Sequence, residues 1–294
     1  MTWTFRKLQK ISGSYLVSLP KNWIKTIGLD KNSTIGISIQ DNGTLVISPK
    51  SDQVEFKDEL TMTSSSYVPR EVIKNLFSGI EKIILVSEKT ISQKLKKEIK
   101  RLITDLPNIE IVEDKPQRIV IQNFGFKKVP TNKIIERLLY ILSDIFTNVK
   151  NNSINELEEN VVLLRRFYFL LVIHIRTFLR TGIYDLKIKD LTPLKAIDYR
   201  SFSEQIEHIG YKLQYFRLSE KTKDFFEKVE SYYNEVMNAY FNKDLKIAYK
   251  LWLDKDELEE EARKLMDVLD YEDKDRIKDL WMIIRHCKRM AALI

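Results

Sequence analysis

The stretch Arg6-Lys7-Leu8-Gln9-Lys10-Ile11-Ser12-Gly13-Ser14-Tyr15-Leu16-Val17-Ser18-Leu19-Pro20-Lys21-Asn22-Trp23-Ile24-Lys25-Thr26-Ile27-Gly28-Leu29 decides the fold of the N-terminal region. Ser12-Gly13-Ser14 is a turn signal, and Thr4 to Leu8 and Ser14 to Leu19 read as short extended segments around it. Pro20 suits the first position of a helix, where a missing N–H costs nothing. The helix Pro20 to Ile27 gathers Trp23, Ile24 and Ile27 on one side, and Gly28 is placed to stop it. Ile35 to Ile39 then alternates apolar with small or polar residues. Asp41-Asn42-Gly43 is a hairpin turn, because Asn and Gly tolerate positive φ. Leu45-Val46-Ile47 is the return strand and Pro49 ends it. The expected order is β-β-α-β-β. About 50 residues with four short strands cannot bury a stable core alone. Intertwining two copies would supply the missing half.

Charge points the same way. The 294-residue chain carries a net +7. Residues 1–50 hold seven basic side chains against two acidic ones, whereas residues 51–126 balance. A basic module on a near-neutral body predicts a polyanion partner for that module.

Several classes are excluded. The longest apolar run without formal charge, Phe167 to Ile175, is far short of the ~20 residues that span a bilayer. The first residues lack the apolar segment of a signal peptide. The single cysteine, Cys287, gives no disulfide or CxxC site. His174, His208 and His286 have no metal-ligand spacing, and the eight glycines form no phosphate loop. With no nucleophile–base–acid constellation, the expectation is a cytoplasmic protein that is not an enzyme, has no cofactor and does not insert in a membrane.

The quoted stretch resembles the SpoVT/AbrB family. The shared landmarks are the basic start, the Gly turn, the Val17-Ser18-Leu19-Pro20 strand end, the basic amphipathic helix and the Gly28-Leu29 stop. Asn42-Gly43-Thr44-Leu45-Val46-Ile47-Ser48-Pro49 fits the same pattern. The resemblance implies a swapped-hairpin homodimer that binds double-stranded DNA through basic residues near its loops and helix. Arg6 and Lys25 match basic positions of that pattern. Ser14 stands where the family often has Arg, and Ile24 at another frequently basic position. Arg6, Lys7, Lys10, Ser14, Lys21 and Lys25 are the candidate DNA-binding residues.

Residues 51–126 read as a small α/β layer of order β-α-β-α-β-β, with extended segments at Val54-Glu55-Phe56 and Leu60-Thr61-Met62. A first helix from Pro69 carries Ile73, Leu76, Phe77 and Ile80. A second follows Ser92, with Leu95, Ile99, Leu102 and Ile103 on one face. The lysines 94, 96, 97 and 100 with Arg101 read as a solvated face. Residues 127–294 read as six helices: Thr131 to Val149, Ser153 to Arg180 before Gly182, Thr192 to Phe216, Ser219 to Asn242, Asp244 to Leu269 and Glu272 to Leu293. The pattern suits two three-helix repeats. Tyr232, Tyr233, Tyr240, Phe241, Tyr249 and Trp252 are expected in the bundle core, and His174 as a core or interface histidine.

This half resembles the PhoU family through Leu163 to Leu170, through Asp198-Tyr199-Arg200 with Glu204 to Gly210, and through Lys288-Arg289-Met290-Ala291. Behind an AbrB-like head these motifs resemble the archaeal AbrB–PhoU fusion family of phosphate-uptake regulators. The resemblance implies a multidomain α+β chain: a swapped-hairpin head at 1–50, an α/β connecting domain at 51–126 and a PhoU-like six-helix bundle at 127–294. PhoU proteins often bind metal clusters through acidic pairs four residues apart. The matching positions here are Arg165, Glu207 with Tyr211, and Lys288 with Ala292, so no family-type metal cluster is expected. Only Asp256 and Glu260 keep the spacing, as a weak site at most. Two functions follow. One is a DNA-binding transcriptional regulator of phosphate uptake whose helical half senses a partner or ligand. The other is a signalling adaptor that dimerises through the head and docks on a phosphate transporter or signalling kinase without binding DNA.

Overall fold

The computed structural model describes residues 5–39, 43–49, 59–65, 67–124, 129–181 and 191–294. The expected turn residues Asp41 and Asn42, the segment Val54-Glu55-Phe56 and the helix stop at Gly182 lie outside these. The chain divides into two compact units, Met1–Lys57 and Asp58–Ile294.

In the first unit, β1 (Gln9–Ile11) and β2 (Ser14–Leu16) pair antiparallel, with Lys10 opposite Tyr15 and Ile11 opposite Ser14. The expected segment Thr4 to Leu8 is corrected, since its described residues Phe5 to Leu8 are in no strand and β1 begins at Gln9, and the expected Ser14 to Leu19 is shortened to three residues. A two-residue turn with φ +48° at Ser12 and +89° at Gly13 fixes pairing immediately beside itself. With both faces in water, nothing holds a longer ladder. Helix α1 (Lys21–Thr26) follows. Gly28, at φ +69°, closes it, and the Leu29 N–H donates to the Ile24 carbonyl at 3.0 Å. That geometry is a Schellman stop, and Leu29 is the one buried hydrophobic residue among those described in this unit. β3 (Ile35–Ile39) and β4 (Leu45–Pro49) form the second hairpin.

In the second unit a mixed sheet has the order β5 (Glu59–Thr63), β6 (Lys82–Val86), β8 (Arg118–Asn123), β7 (Ile109–Lys115). β5 and β6 run parallel and the other neighbours antiparallel. Ile83 faces Ile121 and Leu85 faces Ile119 across the ladder, and these side chains share a core with α2 (Val68–Phe77) and α3 (Gln93–Thr104). The expected reach of α2 to Ile80 is corrected: the helix ends at Phe77, because Gly79 turns the chain at φ +81°. Leu102, placed on the apolar face of α3, is exposed. The Ser92 side chain caps α3 by accepting from the Leu95 N–H.

Among the described residues six helices complete the unit: α4 (Thr131–Lys150), α5 (Ile154–Thr181), α6 (Pro193–Tyr215), α7 (Lys223–Asn242), α8 (Leu245–Val268) and α9 (Tyr271–Ala291). Thr192, Asp244 and Asp270 cap the starts of α6, α8 and α9. Helices α4, α5 and α6 pack on one another, as do α7, α8 and α9. The seam between the two triplets runs through α6 against α9 and α4 against α7. On that seam the Phe146 and Tyr233 rings stack at 5.0 Å, and the Tyr233 hydroxyl donates to the Leu139 carbonyl at 2.6 Å. Lys212 and Asp279 pair at 2.7 Å across α6 and α9. The sheet layer rests on α5 through Phe77 on Phe169 and through the Arg165–Asp105 ion pair at 3.3 Å. Among the described residues no helix is long and apolar enough to cross a membrane.

Candidate nucleic-acid interface

The candidate cations are all exposed. Arg6 and Lys7 precede β1, Lys10 lies in β1, and Lys21 and Lys25 stand one turn apart on α1. Their i, i+4 spacing puts the two lysines on one helix face. The hairpin register places Lys10 beside Tyr15 on one face, while Ser14 shares the opposite face with Ile11. The structure thus joins Lys21 to Lys25 and separates Lys10 from Ser14. Among the described residues the Arg6 guanidinium donates to the neighbouring Phe5 carbonyl. Among the described residues none of these five cations is paired to a carboxylate.

The helical region holds both paired and unpaired cations. Lys212–Asp279 and Lys228–Glu261 pair at 2.7 Å, and Arg276–Asp273 at 2.6 Å. Other cations of the helical region, Lys195 and Lys243 among them, have no carboxylate partner among the described residues.

The first unit also leaves an apolar face uncovered. The β3–β4 register sets Ile35 opposite Pro49, Ile37 opposite Ile47 and Ile39 opposite Leu45, all on one side. Ile37 is 60% exposed, Ile39 76% and Leu45 50%. Phe5, Leu8, Tyr15 and Val17 are exposed as well. So many exposed apolar side chains on so small a unit mark an interaction site.

The metal positions do not fit a cation cluster. Arg165 is paired with Asp105. Burial pushes the Glu207 carboxyl up, and Arg165, Arg200 and His208 act against that shift. The Lys288 ammonium sits 4.5 Å over the Trp252 ring, and Glu260 accepts from Arg263 at 3.4 Å. Among the described residues no three His, Cys, Asp or Glu side chains gather as a metal site. The expected core placement of Tyr249 and Trp252 is corrected. Both are exposed and stack at 6.5 Å, whereas Tyr232 and Tyr233 are buried. A stripe of α8 with Leu245, Tyr249 and Trp252 has the same spacing whether it faces a neighbour or water, so the sequence carried no signal to separate the cases. Tyr240 and Phe241 are half-buried at the seam.

His286, adjacent to Cys287, turns toward α6. Its Nδ1 lies 2.8 Å from Gln205 Oε1 and its ring 5.2 Å from the His208 ring. Burial, then His208, Arg289, Lys212 and Arg285, push its pKa down to about 4. Cys287 is buried and its thiol is pushed up. Above the ordinary value near ~6.5, His286 is neutral folded or unfolded. As pH falls from there toward 4, the unfolded chain takes up a proton that the folded one refuses, so stability falls. Denaturant unfolding at pH 5 should give about 2 kcal/mol less stability from this residue than at pH 7. His286→Gln should remove that share of the pH dependence, and an unchanged difference would rule it out.

Residues 8–54 match the family described as antidote-toxin recognition MazE, bacterial antitoxin. No curated protein matches the chain, and no solved structure does. With its hairpins, its Gly-stopped helix and its exposed cations, the chain carries a MazE/AbrB-like, antitoxin-type N-terminal domain.

Proposed function

We propose that this protein is a DNA-binding transcriptional regulator whose N-terminal unit works as a homodimer. Two copies cover the Ile37–Ile39–Leu45 face and place two sets of Arg6, Lys7, Lys10, Lys21 and Lys25 along one duplex. Ser14 adds a hydroxyl donor at the turn. The observation that carries the reading is the coincidence, within one MazE-like unit, of unpaired exposed cations and an uncovered apolar face. Such a grip works chiefly through phosphates, with base edges and DNA shape supplying selectivity. The helical region would sense a partner or ligand and bias the head. The motif resemblance of that region to PhoU proteins makes phosphate uptake the process we propose to be regulated.

The test is duplex binding by the full-length protein and by an Arg6→Ala/Lys10→Ala/Lys21→Ala/Lys25→Ala variant. The expected loss is at least ~10³-fold near 100 mM salt, since eight phosphate contacts per dimer disappear. A control variant in α3, Lys94→Ala/Lys97→Ala, should bind as the parent does. Equal binding by parent and head variant would refute the reading.

A further inference from the structure

A cleft of about 700 Å³ opens where the two helix triplets meet at one end of the helical region. Residues of α4 and α6 line one side; α7, the start of α8 and the residues after α9 line the other. Its volume lies within the range of small-molecule sites.

The lining is chemically divided. Phe202 and Tyr240 stack at 4.9 Å across the α6–α7 boundary, and Phe241 extends the aromatic wall. Leu191, Leu245 and Leu293 add aliphatic surface. The charged lining residues are Lys195, Lys243, Glu136 and Asp198. The Glu136 carboxylate is already held by Lys133 at 2.6 Å. The Lys195 and Lys243 ammoniums are exposed and have no carboxylate partner among the described residues. Two unmatched cations against the half-buried Asp198 favour an anion. Helices α4, α6 and α8 all begin at this cleft, and none carries an acidic residue in its first turn. Helix starts favour anions; at α8 the Asp244 carboxylate already takes the first free N–H groups, accepting from Lys246 and Ile247.

We propose that this cleft binds a small, flat, largely apolar molecule carrying one acidic group. The aromatic wall takes one face of its planar body and the two lysines take its anionic end. A ligand placed there bridges α4 and α6 to α7 and α8, so its occupancy fixes the seam between the triplets. This gives a chemical class to the ligand of the sensing region and stands apart from the DNA reading, since its test uses no DNA.

The full-length protein is titrated with 1-anilinonaphthalene-8-sulfonate, a flat fluorescent dye with one acidic group. A parallel titration uses uncharged N-phenyl-1-naphthylamine. Two variants at exposed positions are compared, Lys195→Glu/Lys243→Glu and Leu245→Trp, each checked for helix content by circular dichroism. The charge variant should weaken sulfonate binding at one site per chain by at least ~10-fold, the scale of one lost charged contact. It should change binding of the uncharged dye less than about twofold, because the aromatic wall is intact. Leu245→Trp, which narrows the mouth, should weaken both dyes. If the parent and both variants give the same sulfonate isotherm, the cleft is not the site and the proposal falls. If Leu245→Trp weakens both dyes while the charge variant changes neither, the cleft takes apolar molecules without reading an acidic group, and the proposed ligand class is overturned.

Discussion

Replacing Ile37 and Ile39 by Asp is expected to turn the full-length protein into a monomer and to abolish duplex binding, although no proposed phosphate contact is touched. Both residues lie on the apolar side of the β3–β4 hairpin, with Ile47 and Leu45 opposite them. That side is exposed in the single chain, and Leu29 is the only hydrophobic residue buried among those described in the first unit. A unit with one buried hydrophobe has nothing to oppose the conformational entropy of its own chain. Its stability must come from covering the isoleucine face. Burial of each such side chain is worth about 2 kcal/mol, so four lost from a dimer would weaken association by roughly 10⁶-fold. Charged replacements add a desolvation cost in the same direction. Sedimentation velocity reads the oligomer, and circular dichroism should show the helical region unchanged. A variant that sediments as the parent does would place the dimer contact elsewhere.

The second large effect is in the helical region. Gly210→Val should destabilise the Asp58–Ile294 unit by about 3 kcal/mol, the upper range for overpacking a core. Gly210 sits on α6 against Leu164 of α5. A Cβ there would lie 2.2 Å from Leu164 Cδ2 and 3.8 Å from Ile145 Cδ1. Leu164 and Ile145 are themselves buried in the helical core, so Leu164 cannot swing aside into water. Even Gly210→Ala should lose stability, although Ala is the better helix former by about 1 kcal/mol. Trimming the obstacle provides the check: Gly210→Ala/Leu164→Ala should lose less than the two single changes added together. Strict additivity in denaturant unfolding would show that the two positions do not press on each other.

Much of this architecture was legible in local chemistry. Gly28 announced the end of α1 because only a residue tolerant of positive φ closes that stop, and φ there is +69°. Asp244 and Thr192 marked helix starts because their side chains accept the first free N–H groups. The order of strands and helices in the sheet layer followed from the switch between two-residue and 3.6-residue periodicity. What failed was whatever depends on neighbours distant in sequence. The length of β1 and β2 is set by how many residues find a partner beyond a two-residue turn. Tyr249 and Trp252 carry the spacing of a core stripe yet stay exposed, with the Lys288 ammonium of α9 over the Trp252 ring. Lys195 and Lys243 lie far apart in the chain, and only the meeting of α6 with the end of α7 brings them to one cleft. The head cations were visible one by one, but the opposite faces of Lys10 and Ser14 required the hairpin register.

The most direct measurement of the central claim is the affinity of the full-length protein for duplex DNA across a salt series. A dimeric head that grips phosphates through Arg6, Lys7, Lys10, Lys21 and Lys25 of both copies should give a log–log slope of about −9, each of ten neutralised phosphates contributing about −0.9. A slope near zero, or no binding at 100 mM salt, would contradict it.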